Sequence, residues 1–134
     1  MSEIIYKKIH EFEKEDLKDL FLSVEWFSGH FSDKPQISMR NFESIISAWD
    51  GDKLVALICA MDDGIMTAYV HYLLVKSDYQ DFGIGKELVL RIRNIYKDYL
   101  RIVVAYNDEI GFYENCGFKK VDDTNSMLIT ELWT

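Results

Sequence analysis

The stretch that most constrains this chain is a glycine-containing loop between a predicted strand and a predicted helix. An apolar run at residues 70–75 leads into Gln80-Asp81-Phe82-Gly83-Ile84-Gly85-Lys86, and an amphipathic segment follows at residues 84–99. The first N–H groups of a helix lack intrahelical partners and carry partial positive charge, and glycine lets a ligand approach the backbone closely. The pattern therefore predicts a site that holds phosphate groups.

Two common phosphate loops are excluded by their residues. The dinucleotide fingerprint G-x-G-x-x-G/A would begin at Gly83 and Gly85, but Leu88 stands at its third position. The P-loop pattern G-x-x-x-x-G-K-[ST] fails because Gln80 replaces its first glycine and Glu87 its hydroxyl residue. The loop must therefore serve another phosphate-containing ligand.

Composition limits the class of protein. The 134 residues correspond to one domain, residues 1–134, with 49% hydrophobic and 28% charged residues. No apolar run approaches the roughly 20 residues that span a bilayer, and the first residues lack signal-peptide features, so we expect a cytoplasmic protein with no membrane partner. A net charge of −8 argues against a nucleic-acid partner. Two cysteines are too few for a disulfide framework or a zinc site, and we expect no metal.

Hydrophobic periodicity predicts an α/β protein with a mixed sheet. Asp-Gly turns at Asp50-Gly51 and Asp63-Gly64 join three strands into an antiparallel meander, and the segment at 84–99 is a crossover helix between parallel strands. Its core-facing stripe is Ile84, Leu88, Ile92, Ile95 and Tyr99. The predicted strands are 4–9, 44–49, 54–61, 65–75, 101–105, 118–121 and 127–133, and the predicted helices are 11–22, 38–42, 84–99 and 108–115.

An aromatic-rich loop, residues 23–35, precedes the second predicted helix. It contains Val24, Trp26, Phe27 and Phe31 among loop-forming residues. Two interpretations stay open: the rings cap one end of the sheet as core, or some of them wall a substrate pocket.

Two motifs together resemble a known superfamily. Gln80, Gly83 and Gly85 satisfy the pattern Q/R-x-x-G-x-G/A, and Phe112-Tyr113-Glu114-Asn115-Cys116-Gly117-Phe118 satisfies F-Y-x-x-x-G-F. With this element order, essentially the whole chain resembles the GCN5-related N-acetyltransferase (GNAT) superfamily, in particular its small bacterial-type members. The resemblance implies the GNAT fold, a mixed central β-sheet flanked by helices, and direct transfer of acetyl from acetyl-CoA to a primary amine, with neither a metal nor a covalent acyl-enzyme.

The resemblance also implies the coenzyme A contacts. Backbone groups of the loop, from Gln80 to Lys86, would hold the pyrophosphate. Leu73, Leu74 and Val75, on a strand that splays from its parallel neighbour, would offer backbone groups to pantetheine and acetyl. Relatives place a CoA-contacting asparagine seven residues before the acidic tyrosine, whereas Asn107 lies six before Tyr113.

For catalysis, Tyr113 resembles the acid that protonates the leaving thiolate, the alternative being that it only packs beside CoA. His71 is the first candidate for the base that deprotonates the amine; the alternative is a hydrogen-bonded core histidine. Glu25 is the second candidate, or else a surface carboxylate. With a period of two, we expect Tyr69, His71 and Leu73 to share one face of their strand.

The amine that accepts the acetyl group is the part of the reaction that the sequence determines least. Trp26, Phe27 and Tyr69 are the predicted substrate contacts, and with the acidic net charge they favour a small amine, aromatic amines included. A protein or peptide amine, and a non-catalytic CoA-binding module, are the alternatives. A homodimer is compatible with the resemblance.

Overall fold

A computed structural model describes residues 3–31, 33–104 and 109–131. The strands are β1 (Ile4–Lys7), β2 (Ser44–Asp50), β3 (Lys53–Asp62), β4 (Thr67–Val75) and β5 (Arg101–Val104). The helices are α1 (Lys14–Ser23), α2 (Lys34–Asn41), α3 (Ile84–Ile95) and α4 (Ile110–Asn115), with short 3₁₀ helices at Phe27–His30 and Ser77–Tyr79. Among these residues, no helix is both long and apolar enough to cross a bilayer.

The five strands form one mixed sheet in the order β1-β2-β3-β4-β5. Neighbours are antiparallel from β1 to β4, and β4 and β5 are parallel. Short turns permit antiparallel pairing, whereas the parallel pair needs the longer connection through α3. The predicted mixed sheet, antiparallel first and parallel at the crossover, is confirmed.

Each face of the sheet carries its own core. On one face, α3 buries Ile84, Leu88, Val89 and Ile92 against the strands. On the other, α1 and α2 bury a second cluster: Leu17, Leu20, Phe21, Met39, Leu54 and Leu57. The predicted stripe of α3 thus packs on the sheet, although the helix ends at Ile95 because Tyr96 leaves helical geometry.

Two predicted helix starts are wrong. The first helix begins at Lys14, three residues later than predicted, and α2 begins at Lys34, four residues earlier. Pro35, which reads as a loop residue in the sequence, lies in the first turn of α2, where proline's fixed φ suits the helix and its missing N–H costs no hydrogen bond.

The two predicted closing strands are also wrong within the described residues, since residues 118–131 contain no strand. Every side chain from 119 to 131 is exposed, with Met127 at 90% and Ile129 at 106% of full exposure. Strand propensity expresses packing against neighbours, so an alternating apolar pattern without that packing does not make a strand. Residues 132–133 lie outside the described part.

A β-bulge in β4 changes which residues share a face. Cys59 pairs with Tyr72 and Ala60 with Val70, so the register passes over His71. Because one extra residue inverts the alternation, Leu73 packs with the α3 core whereas Tyr72 packs with the α1 core. The predicted common face of Tyr69, His71 and Leu73 is therefore wrong.

Candidate active site

A cleft lies beside the last residues of β4. Among the described residues, the pairing of β4 with β5 runs only to Val70 and Val104, while β4 continues to Val75. The cavity has a volume of about 630 Å³, within the usual range for small-molecule sites. Its lining combines the end of β4, the glycine loop, α4 and the segment after α1: Val24, Trp26, Val70, His71, Leu73, Leu74, Val75, Tyr79, Gln80, Asp81, Gly83, Ile84, Gly85, Lys86, Val104, Glu109, Phe112 and Tyr113.

The glycine loop presents a run of available amides. Asp81 (φ 69°) and Gly83 (φ 83°) both adopt left-handed backbone. Within the described part of the chain, no protein acceptor bonds the amides of residues 81–86, and Glu87 N, 3.0 Å from Gly83 O, is the first helical amide to find one. Successive unpaired amides at a helix start form a concavity that binds anions.

The base of this loop is fixed to the sheet. Gln80 Nε2 donates to Val75 O at 3.0 Å, and Lys76 N donates to Val55 O at 2.9 Å. The glutamine that fills the first position of the motif therefore closes the loop onto the end of β4.

Gly85 sets the distance between α3 and α4. A Cβ at this position would lie 3.4 Å from the ring of Phe112 and 3.6 Å from Val75. A larger side chain would push α4 away, so glycine here allows α4 to bring its tyrosine into the cleft.

Tyr113 lies on α4 with its ring edge-on to two phenylalanines. Its ring centroid is 5.1 Å from that of Phe112 and 5.6 Å from that of Phe118. Gly117, at φ 94°, ends the helix in left-handed backbone, and Phe118 N then donates to Tyr113 O at 3.0 Å. Burial, with smaller contributions from Cys116 and Glu109, raises the pKa of Tyr113 to about 12, so the phenol is protonated at physiological pH.

Arg93 of α3 contacts the end of α4. Its Nη1 donates to Cys116 O at 3.0 Å and occupies the space where a Cβ on Gly117 would lie. Arginine thereby satisfies a C-terminal helix carbonyl and ties α4 to α3.

His71 lies in the cleft at the bulge. Its ring centroid is 4.2 Å from that of Tyr72, 5.7 Å from that of Tyr69 and 5.9 Å from that of Phe42. Burial among these rings lowers the pKa of His71 below its ordinary value, because it disfavours the charged imidazolium. A neutral imidazole therefore faces the cleft at neutral pH.

This lowered pKa predicts a pH-dependent stability. As the pH falls below about 6.5, the unfolded chain takes up a proton at His71 before the folded protein does, so the free energy of unfolding falls until the lower folded pKa is passed. His71→Gln should remove this component, which urea unfolding of both proteins between pH 5 and 8 would measure. Parallel pH profiles for the two proteins would contradict a buried neutral imidazole.

The remaining predicted site residues fall into three groups: in the cleft lining, not in the lining, and outside the described residues. Trp26 lines the cleft, with its ring centroid 5.3 Å from that of Tyr72. Three residues are not in the lining: Glu25, which is exposed with φ 61°, Phe82, whose side chain is 63% exposed, and Tyr69. The side chain of Phe27 and the whole of Asn107 lie outside the described residues.

Sequence reasoning missed several lining residues. Glu109 and Tyr113 both line the cleft. They are four positions apart, the spacing that places two side chains on one helix face, so the helical period could have predicted Glu109 once Tyr113 was chosen. Tyr79 directly precedes the loop and carried a weaker signal. Val24 and Val104 are brought into the cleft by tertiary structure alone.

A mixed sheet beside a loop with available amides, with a tyrosine lining the same cleft, is the arrangement expected of an N-acetyltransferase. The GNAT acetyltransferase family model matches residues 7–118. The chain therefore belongs to the GNAT family of acetyltransferases.

Solved structures agree with this family. A GNAT family acetyltransferase from Streptococcus pneumoniae is 27% identical, with a TM-score of 0.82 over 96% of this chain and 99% of that one. Two less similar proteins share the fold: an aminoglycoside acetyltransferase from an uncultured soil metagenomic sample (20% identity, TM-score 0.72, 95% of each chain) and glucosamine-6-phosphate N-acetyltransferase from Arabidopsis thaliana (15%, 0.71, 96% of this chain and 100% of that one). No curated protein matches the sequence.

Proposed function

We propose that the protein transfers the acetyl group of acetyl-CoA directly to a primary amine. The observation that carries the proposal is the run of available amides at residues 81–86, which lies in the same cleft as Tyr113 and His71. Membership of the GNAT family supports acetyl transfer as the reaction. The amides that line the cleft support acetyl-CoA as the acetyl donor. The cytoplasmic location expected from the sequence is part of this proposal.

The cleft fits coenzyme A in its chemistry. The amides of residues 81–86 would hold the pyrophosphate, with the positive end of the α3 dipole behind them. Beyond Val70, β4 extends past its described pairing with β5, so backbone groups of Leu73, Leu74 and Val75 are offered to pantetheine and acetyl. Phe82 and Asn107 remain proposed contacts.

Acetyl-CoA, when bound, supplies an acyl carbon activated by its thioester. Backbone donors on Leu73 to Val75 would stabilise negative charge on the carbonyl oxygen, and one such donor contributes about 3 kcal/mol in comparable sites. Tyr113 Oη holds a proton facing the cleft. Because its pKa of about 12 exceeds that of a thiol, near 8.5, Tyr113 serves mainly as a hydrogen-bond donor to the leaving sulfur.

The amine must lose a proton before it attacks, because an ammonium has no free electron pair. His71 is neutral, lines the cleft and has a ring nitrogen able to take that proton, directly or through water. Glu25 is exposed and not in the lining, so it is the second candidate. These positions support His71 as the base.

The acceptor would enter beside Trp26 and Val24. Trp26 lines this side of the cleft and packs on Tyr72, and an aromatic wall favours a small amine, aromatic amines included. Tyr69 and Phe27 remain proposed contacts on this side. Two proteins of the same fold are named as an aminoglycoside acetyltransferase and a glucosamine-6-phosphate N-acetyltransferase.

Acetyl-CoA consumption against a panel of arylalkylamines, amino sugars and amino-terminal peptides tests this function. We expect turnover with a small amine and little with peptides. Turnover with peptides alone would favour the peptide acetyltransferase, and tight CoA binding without turnover on any amine would favour the non-catalytic module. Light scattering of the purified protein would decide whether it is the homodimer that the resemblance allows.

Direct transfer is tested at Cys116. The thiol is only 2% exposed and burial raises its pKa, so it is a poor nucleophile. Cys116→Ser is expected to retain kcat within about threefold, measured with the best amine of the panel. A variant that binds CoA with wild-type affinity but has lost all turnover would contradict direct transfer and indicate an acyl-enzyme.

A further inference from the structure

A buried tyrosine just before the glycine loop is tied to the turn between β2 and β3. Tyr79 ends the 3₁₀ helix Ser77–Tyr79, is 9% exposed, and donates its hydroxyl proton to Asp50 Oδ2 at 2.5 Å. Asp50 is the last residue of β2, and Lys53, its partner across the turn, places Nζ 5.4 Å from the centre of the Tyr79 ring. The turn therefore holds Tyr79 by its hydroxyl and by its ring face.

The segment that Tyr79 anchors has little stability of its own. A three-residue 3₁₀ helix has poor hydrogen-bond geometry and depends on tertiary contacts. At its start, Lys76 N bonds Val55 O, and at its end the side chain of Gln80 bonds Val75 O. Both contacts fix the segment to β3 and β4, whereas the hydroxyl bond to Asp50 and the ring contact with Lys53 join the Tyr79 side chain to the β2–β3 turn.

The direction of the loop amides depends on this segment. Asp81, two residues after Tyr79, is the first of the two left-handed residues that shape the loop, and it lines the cleft together with Gly83, Ile84, Gly85 and Lys86. A small rotation at Tyr79 would change where all the loop amides point. The Tyr79 ring lines the cleft, whereas its hydroxyl is engaged by Asp50.

We propose that the Tyr79–Asp50 hydrogen bond positions the loop for coenzyme A, so that both residues contribute to cofactor affinity and neither takes part in the acetyl transfer. The inference rests on the proposed function, because it takes coenzyme A as the ligand of the loop. Tyr79 and Asp50 are positioning residues that act through the amides of residues 81–86. The Asp50 turn, needed by the fold to reverse the chain, thus also supports the ligand site.

The chain offers a matched control in a second tyrosine–carboxylate pair. Tyr96 is 2% exposed, and its hydroxyl lies 2.7 Å from Asp62 Oδ2. This pair joins the end of α3 to the end of β3 and is not in the cleft lining. The Tyr96 hydroxyl also bonds Ser44 Oγ at 2.7 Å, so its loss removes at least as much hydrogen bonding as the loss of the Tyr79 hydroxyl, at a place that does not adjoin the loop.

The experiment measures CoA affinity by calorimetry and turnover at saturating acetyl-CoA for Tyr79→Phe, Asp50→Ala, which removes the acceptor, their double variant and Tyr96→Phe. We expect each single variant at the Tyr79 pair to raise the Kd for CoA about fivefold, the effect of losing one ordinary hydrogen bond. The double variant should be no weaker than the weaker single variant, and kcat should stay within twofold. Amide hydrogen exchange at residues 81–86 should accelerate in the first three proteins. Tyr96→Phe should lower the Tm and leave the Kd unchanged.

Three outcomes would decide against the inference. A wild-type Kd in Tyr79→Phe or Asp50→Ala, additive effects in the double variant, or an equal loss of affinity in Tyr96→Phe would each overturn it. If Tyr79→Phe does not fold, Asp50→Ala, which removes the acceptor and leaves the Tyr79 side chain unchanged, carries the same test. A wild-type protein that does not bind CoA would instead refute the proposed function itself.

Discussion

Replacing Tyr113 by phenylalanine is expected to lower kcat about 100-fold and to leave the KM for acetyl-CoA within about twofold. The substitution removes the hydrogen bond to the leaving sulfur, and the loss of one such donor to developing negative charge costs roughly 100-fold to 1,000-fold in other enzymes. The ring stays in place, because its contacts with Phe112 and Phe118 are made by ring edges and faces. Steady-state kinetics with the best amine of the panel measures both constants.

Tyr99→Phe is the matched control for this experiment. Its hydroxyl lies 3.2 Å from Asp62 Oδ1, in the network at the end of α3, and is not in the cleft lining. We expect wild-type kcat from this variant. A Tyr113→Phe enzyme that turns over at the wild-type rate would reduce Tyr113 to a packing residue beside the cofactor.

The second large effect is expected at the glycine loop, where Gly83→Val should weaken CoA binding at least 30-fold. Gly83 is the N-cap of α3 at φ 83°, and a β-branched residue is strongly disfavoured in left-handed backbone. Relief of this strain, of about 1–3 kcal/mol, would rotate the peptide units on either side and turn their amides out of the cleft. Calorimetric titration with CoA measures the loss.

Gly64→Val separates strain from ligand binding. Gly64 has φ 87° in the turn between β3 and β4, and, like Gly83, it has open space where a Cβ would lie. The same substitution should therefore lower the Tm by a similar amount and leave the Kd for CoA unchanged. Equal losses of affinity in the two variants would mean that the loop amides have no special part in binding.

The confirmed predictions include a helix that begins at Ile84, directly after the glycine loop. The helix stripe through Leu88 and Ile92 follows from the helical period, which acts within a few residues. The mixed sheet followed for the same reason, because short turns force antiparallel neighbours and a crossover helix allows a parallel pair. The closing strands failed because a strand needs a partner that no local pattern provides.

The resemblance implied that Tyr113 and the glycine loop contact the same ligand. In the structure, both line one cavity. The sequence could not reveal the bulge at His71, since an extra residue in a ladder is defined only by the pairing with β3. The contacts of Arg93 with Cys116 and of Tyr79 with Asp50 join residues 23 and 29 positions apart, a separation at which spacing carries no information.

The loop from Gln80 to Lys86 illustrates this division. By itself the sequence determined that a strand ends, a glycine-containing loop follows and a helix begins with unpaired amides, because a helix start leaves its first N–H groups without intrahelical partners. Only the tertiary structure decided that Tyr79 bonds Asp50 and that His71 and Tyr113 share the cleft of the loop. These are long-range contacts, and their positions depend on the packing of the whole sheet.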